Sequence, residues 1–249
     1  MEVYRVIVTT TELQNSFGKF LRLCRHEEII ITKNGKKIAS LLPYTEEGAR
    51  DRWMVGEGSA AYKPQGIKVS YEEFLKLTET SENRFEYIDG EMILMASPLY
   101  PHQKAVREIF VAFSLWFEGK KCEPLASPFD VTLYRLGNED RINVVQPDIL
   151  VICDRENINE KGQYRGTPSL VVEVLSSSTR SMDLIKKLDL YMESGVEEYW
   201  IANPVTKEIH IYVFSNHNIE TLLSYKGNET AQSATHPGLH LDLQKVFAG

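Results

Sequence analysis

Three residues in the second half of the chain could act together on a phosphate ester. Asp148 follows Pro147 at the mouth of an apolar run, Ile149–Cys153. Glu173 sits inside a second apolar run, Leu170–Leu175. Lys187 lies in Met182–Glu193, whose apolar residues recur at helical spacing. Residues two apart on a strand share a face, so Glu173 would share its face with Val171 and Leu175. A carboxylate on an apolar face is costly unless it is paired or binds a cation. Two acids on neighbouring strands suit Mg²⁺ or Mn²⁺, which take one or two carboxylates and fill the remaining positions with water and substrate phosphate. Such an ion lowers the pKa of a bound water, and a nearby ammonium can orient that water or neutralise the phosphate. The expected catalytic set is therefore Asp148, Glu173 and Lys187, with Asp148 and Glu173 as metal ligands, and the chemistry is phosphodiester hydrolysis. Competing readings stay open: Asp148 as a turn cap, Glu173 as a structural ion-pair partner, and Lys186 in place of Lys187.

These residues need a sheet and at least one helix to position them. Ser70-x-x-Glu73 is a capping box opening a helix. Asp89-Gly90 joins two strands, Arg84–Ile88 and Glu91–Met95, as a hairpin. Pro101 stands at the start of a long helix from His102 to Glu118, with Val106, Ile109, Phe110, Phe113 and Phe117 on its buried face. Strands follow at Phe129–Tyr134, Ile149–Cys153 and Leu170–Leu175. The helix Met182–Glu193 ends at Gly195. Strands Glu198–Ala202, Glu208–Phe214 and Ile219–Tyr225 complete an α/β (α+β) body with a mixed central sheet, in which Tyr199 and Trp200 read as core.

A smaller unit precedes this body. Thr9-x-x-Glu12 caps a helix whose Leu13, Phe17, Phe20 and Leu21 form one stripe, and Asn34-Gly35 turns a hairpin between Glu28–Lys33 and Lys36–Pro43. Residues 1–44 carry seven Lys and Arg against four acids, a net charge of +3. The whole chain is at −7, so the remainder carries −10. About 44 residues rarely bury a sufficient core unaided, so this head is expected to dimerise. Residues 45–68 mix charge and glycine without periodicity and read as a linker, leaving 69–249 as the body. Cys24, Cys122 and Cys153 are widely spaced, with no CxxC. That predicts no disulfide framework, no cysteine-based zinc site, a core role for Cys153 and a cytoplasmic protein. No apolar run approaches the length of a membrane span.

The run TTTELQNSFGKFLRLCRHEEIIITKNGKKIASLLPY resembles the N-terminal half of Phd/YefM-type antitoxins. The resemblance implies a β-α-β-β homodimer that binds operator DNA, with Arg22, Arg25, Lys33, Lys36 and Lys37 as phosphate contacts. A toxin partner belongs to that family's habits, but no neutralising tail is indicated here. The segments RFEYIDGEMILMASPLYPHQ, QPDILVICD and PSLVVEVLSSSTRSMDLIKKLDLYMESGVEEYWIANP resemble the Uma-type family of restriction endonucleases, of the PD-(D/E)xK superfamily. The resemblance implies a restriction-endonuclease-like core and a Mg²⁺- or Mn²⁺-dependent endonuclease acting on DNA. Asp148 and Glu173 match its two acids. The usual lysine slot is filled by Leu175, and the lysine migrates to Lys187. Glu86 and His102 match further positions, as an accessory metal ligand and a phosphate or base contact. The alternative is a regulator whose nuclease-like body is inactive and serves for dimerisation or partner binding.

Overall fold

The computed structural model describes residues 5–15, 17–24, 28–41, 66–176 and 182–248. The chain divides into two compact units, Met1–Ala61 and Tyr62–Gly249.

In the first unit, β1 (Arg5–Thr9) leads into two short helices, α1 (Thr10–Asn15) and α2 (Phe17–Leu23). The hairpin β2 (Glu28–Lys33) and β3 (Lys36–Leu41) follows. The capping box forms: Glu12 accepts from the Thr9 backbone N–H at 2.8 Å, and Thr9 Oγ1 accepts from the Glu12 N–H at 3.2 Å. Asn34 and Gly35 both have positive φ, 51° and 75°, as the two-residue turn requires. β2 is central, parallel to β1 and antiparallel to β3. Val8, Phe20, Ile29 and Ile31 make a small core, while Ile7, Phe17, Leu21 and Ile38 stay exposed.

The second unit is built on a six-stranded sheet. Its N-terminal part contributes β4 (Ile67–Lys68), α3 (Tyr71–Thr80), β5 (Phe85–Ile88), β6 (Glu91–Leu94) and α4 (Tyr100–Phe117). Next come β7 (Glu123–Ala126), β8 (Val131–Arg135), β9 (Asn138–Val145), β10 (Ile149–Ile152) and β11 (Leu170–Val174). A π-helical turn, Met182–Lys187, runs into α5 (Leu188–Glu193). β12 (Glu198–Asn203), β13 (Glu208–Ser215), β14 (Asn218–Lys226), β15 (Thr230–Gln232), β16 (His240–Asp242) and α6 (Leu243–Val246) end the chain.

The large sheet has the order β14-β13-β12-β11-β10-β7. β11 and β12 are parallel; the other pairs are antiparallel. Both faces are covered, so β10, β11 and β12 are buried along their whole length. On one face, Ile149, Val151, Val172, Val174 and Trp200 pack under Ala105, Ile109 and Phe113 of α4. On the other, Leu150, Ile152, Val171, Leu175, Tyr199 and Ile201 pack against Ile88, Val131, Leu133 and Val145 of a five-stranded sheet, β4-β6-β5-β9-β8, and against Leu190 and Tyr191 of α5.

Several features differ from the sequence reading. β9, starting Asn-Glu-Asp-Arg, carries too much charge to show an alternating pattern. β7 contains Pro124 and survives because it is the edge of its sheet. Ile67–Lys68, inside the expected linker, pair with β6, and residues 45–65 lie outside the described residues. The expectation of unpaired cysteines is overturned: Cys122 and Cys153 form a disulfide with Cα atoms 4.0 Å apart, and Cys153 is therefore not a simple core thiol. Cys122 precedes β7 and Cys153 follows β10, and the pairing of Ile152 with Glu123 continues to place them opposite each other. A partnership across 31 residues depends on sheet order, which spacing does not disclose.

Candidate active site

Strand register brings the two acids together. Ile149 pairs with Val172 in the antiparallel ladder, so the preceding residue on β10 faces the following residue on β11. That places Asp148 directly across from Glu173. Opposite residues in an antiparallel pair point to the same face, with Cβ atoms about 4.5–5.5 Å apart. The face is that of Leu150, Val171 and Leu175, toward the smaller sheet.

Each acid is held by named donors. Asp148 Oδ2 accepts from the Val174 backbone N–H at 2.8 Å and lies 3.2 Å from His102 Nε2. Among the described residues, no protein group donates to Asp148 Oδ1. Glu173 is buried, and its Oε1 accepts from Lys187 Nζ at 2.8 Å and from Tyr191 Oη at 2.8 Å. Lys187 and Tyr191 are four residues apart and so project from one helical side. The π turn ends at Lys187; such turns are frequent at functional sites.

Lys187 also reaches Glu86 Oε1 at 2.9 Å. Glu86 lies on β5, on the same face as Ile88, and its Oε1 accepts the Gln146 backbone N–H at 3.0 Å. The ammonium thus bridges acids from two sheets, with all three side chains no more than 5% exposed. Lys186 turns elsewhere and pairs with Glu91 at 2.6 Å, so Lys187 is the lysine that lies beside Glu173 and Glu86. His102 is carried inward because it continues the buried stripe of α4 through Ala105, Ile109 and Phe113.

Asp148, Glu173, Lys187, Glu86 and His102 therefore line one cleft of about 230 Å³. The sequence reading had named neither Gln146, which lines the cleft, nor Tyr191, which donates to Glu173, as part of the site. Tyr191 was signalled by its spacing from Lys187, and Gln146 by its place two residues before Asp148. Arg25 lies outside the described residues. Arg22 falls on α2, and Lys33, Lys36 and Lys37 cluster, exposed, at the hairpin of the first unit.

Formal charges matter here. Among the described residues, three carboxylates and one ammonium meet here, a formal excess of two negative charges with His102 counted as neutral. Buried charge of one sign is costly without a counter-ion. An oxygen-seeking divalent cation would offset that imbalance, and Asp148 and Glu173 are the carboxylates that could hold it.

A family model described as "Putative restriction endonuclease" (Uma2) matches residues 71–244. The uncharacterized protein slr1290 of Synechocystis sp. is 28% identical over 190 residues, covering 73% of this chain and 93% of its own length. The uncharacterized protein sll1609 of the same organism is 28% identical over 142 residues, or 56% and 77% of the two chains. A crystal structure from Anabaena variabilis, described as "a putative nuclease belonging to DUF820", aligns with a TM-score of 0.59 at 20% identity. It covers 72% of this chain and 98% of that one. The likeness extends to the fold, a restriction-endonuclease-like mixed sheet flanked by helices. The chain belongs to the Uma2 family through the unit that carries Asp148, Glu173 and Lys187.

Proposed function

We propose that the protein is a divalent-metal-dependent endonuclease that hydrolyses DNA phosphodiester bonds. The observation that carries this reading is the placement of Asp148 opposite Glu173 at the wall of a cleft, with Lys187 Nζ 2.8 Å from Glu173. Asp148 and Glu173 would hold Mg²⁺ or Mn²⁺, and when bound that ion supplies an activated water and neutralises the phosphate. His102 and the Val174 N–H fix one oxygen of Asp148 and leave the other for the cation. Tyr191 fixes Glu173. Lys187 supplies a positive charge beside the scissile phosphate and orients the attacking water. Glu86 holds Lys187 from the far side and serves as an accessory acid.

Residues 1–44 form the proposed antitoxin-like head, which dimerises and binds DNA through Arg22, Arg25, Lys33, Lys36 and Lys37, with 45–68 as linker and 69–249 as the nuclease unit. Support comes from its exposed lysines at the hairpin and its exposed Ile7 and Ile38. A body with a strong negative excess gains DNA affinity from such a head by avidity.

A second reading has its own observation. Lys187 pairs with two acids and is 4% exposed, as suits a structural bridge. The unit would then be an inactive scaffold and the chain a regulator acting through its head. The test is cleavage of plasmid, linear and single-stranded DNA by the purified chain with Mg²⁺ or Mn²⁺. Cleavage that vanishes in Asp148→Ala and Glu173→Ala supports the nuclease. No cleavage of any substrate with either ion overturns it.

A further inference from the structure

A second cluster of ligand-type side chains lies at the opposite end of β10 from Asp148. Cys122 Sγ, Cys153 Sγ and a ring nitrogen of His236 come within 4.8 Å of one another. Three separate elements supply them: the start of edge strand β7, the end of β10, and the loop between β15 and β16. All three residues are half-buried, so the cluster is sheltered yet reachable from solvent.

The loop that delivers His236 is anchored by a buried acid that the candidate active site does not use. Glu198 is fully buried on β12. It accepts hydrogen bonds from Trp200 Nε1 at 2.8 Å, Ser233 Oγ at 2.7 Å, Ala234 N at 3.2 Å and Thr235 N at 3.0 Å, and from the Thr235 hydroxyl. The same Thr235 Oγ1 is 2.9 Å from His236 Nδ1. A hydroxyl has one proton, and here it goes to the Glu198 carboxylate. Nδ1 must therefore carry the imidazole proton and donate to Thr235. Nε2 is left with its lone pair, on the side of Ser169 Oγ at 3.4 Å, which is itself 3.6 Å from Cys153 Sγ. The imidazole N–H is thus held by a hydroxyl that the Glu198 carboxylate fixes in turn, leaving the other nitrogen to ligate; an acceptor on the far N–H is the usual outer support of a metal-binding histidine.

We propose that Cys122, Cys153 and His236 Nε2 bind a zinc-class ion in the reduced protein, and that the Cys122–Cys153 disulfide is the metal-free, oxidised form of the same site. Two thiolates and one imidazole select a borderline-soft ion such as Zn²⁺ and leave a fourth position for water. A dithiol reductant transfers two electrons and two protons to the disulfide, breaking the S–S bond and leaving as its own disulfide. Zn²⁺ then displaces the two thiol protons as both Zn–S bonds form. In either form the site ties β7 to β10; in the metal form it also ties both to the loop carrying His236.

The experiment is a Co²⁺ titration of the full-length chain carrying Asp148→Ala and Cys24→Ser, so that neither the carboxylate cleft nor the free thiol contributes. The readout is thiolate-to-cobalt charge-transfer absorption, with competition by Zn²⁺ giving the zinc affinity. The expected result is one Co²⁺ per reduced chain, no such absorption in the oxidised chain, and none in Cys153→Ser. Thr235→Val keeps all three ligands and should weaken the metal about 10- to 100-fold; His236→Ala keeps both cysteines but removes a ligand and should weaken it at least as much. Absence of the absorption in the reduced chain overturns the proposal. So does an affinity unchanged by His236→Ala, or absorption that survives Cys153→Ser.

Discussion

Replacing Lys187 with Met separates a bridged cluster from coincidental neighbours. The side chains of Lys187, Glu86 and Glu173 are 4–5% exposed, and both acids use their Oε1 on the ammonium. Removing one partner of a buried pair leaves unpaired charge and costs about 3–5 kcal/mol. Lys187 serves two acids, so the upper part of that range applies. Lys186→Met is the control: its side chain is 36% exposed and Glu91 is 25% exposed, so its loss should cost about 0–1 kcal/mol. At about 2–4 °C per kcal/mol for a unit of this size, a loss of about 4–5 kcal/mol should lower the melting temperature of Lys187→Met by roughly 8–20 °C. Urea unfolding of both variants gives the free energies directly. Adding Glu86→Gln to Lys187→Met should recover part of the loss, because one of the two stranded carboxylates becomes neutral. A Lys187→Met variant no less stable than Lys186→Met would refute the bridge. It would also remove the reason for placing this lysine, rather than its neighbour, at the acids.

Three further outcomes are expected. Asp148→Asn should abolish cleavage while leaving folding nearly intact, because among the described residues none donates to Oδ1; circular dichroism beside the nuclease assay checks both. His102→Ala should weaken the activating metal about 10- to 100-fold, read as a shift in the Mg²⁺ or Mn²⁺ dependence of cleavage, since it removes a group that orients Asp148. Glu73 is held below the usual carboxylate range by the Ser70 backbone N–H and then by the Ser70 hydroxyl. Its contribution to stability is therefore present above the unfolded-state pKa and lost as pH falls through the lower folded value. Glu73→Gln should flatten the acid limb of the stability profile, measured by denaturation between about pH 6 and pH 2.

The local elements were legible because their signals are local. Ser70 and Glu73 form the capping box their spacing announces, and Asp89 and Gly90 take the positive φ values of their turn. The pairing of Asp148 with Glu173 was legible for a different reason: Glu173 interrupts one apolar strand and Asp148 stands at the mouth of another, and a shared site would account for both. Non-local features were hidden. Glu86 was reached through the family resemblance alone; its own spacing reads as a hairpin acid until β5 is laid against the large sheet. Cys122 and Cys153 become neighbours only through the order β11-β10-β7. The Glu198 anchor required knowing that residues 233–236 cross the end of β12, and nothing in their spacing reveals it.

The strand Leu-Val-Val-Glu-Val also bears on how the chain finds its register. A strand with one wet face is aligned by its hydrophobic pattern, because a slip of one residue turns the apolar set outward. β11 has no wet face, and every one of its residues is buried. Its apolar side chains would be nearly as content shifted by one position against β10 or β12. Glu173 would not. A slip would turn its carboxylate toward Phe113 and Trp200, away from Lys187 and Tyr191, at the cost of a buried unpaired charge. The acid in the cleft thus also serves as the alignment mark of the central sheet. Glu173→Leu should then fold with poorer uniqueness as well as lower stability, having lost the side chain that marks the correct pairing and the acid that Lys187 and Tyr191 hold.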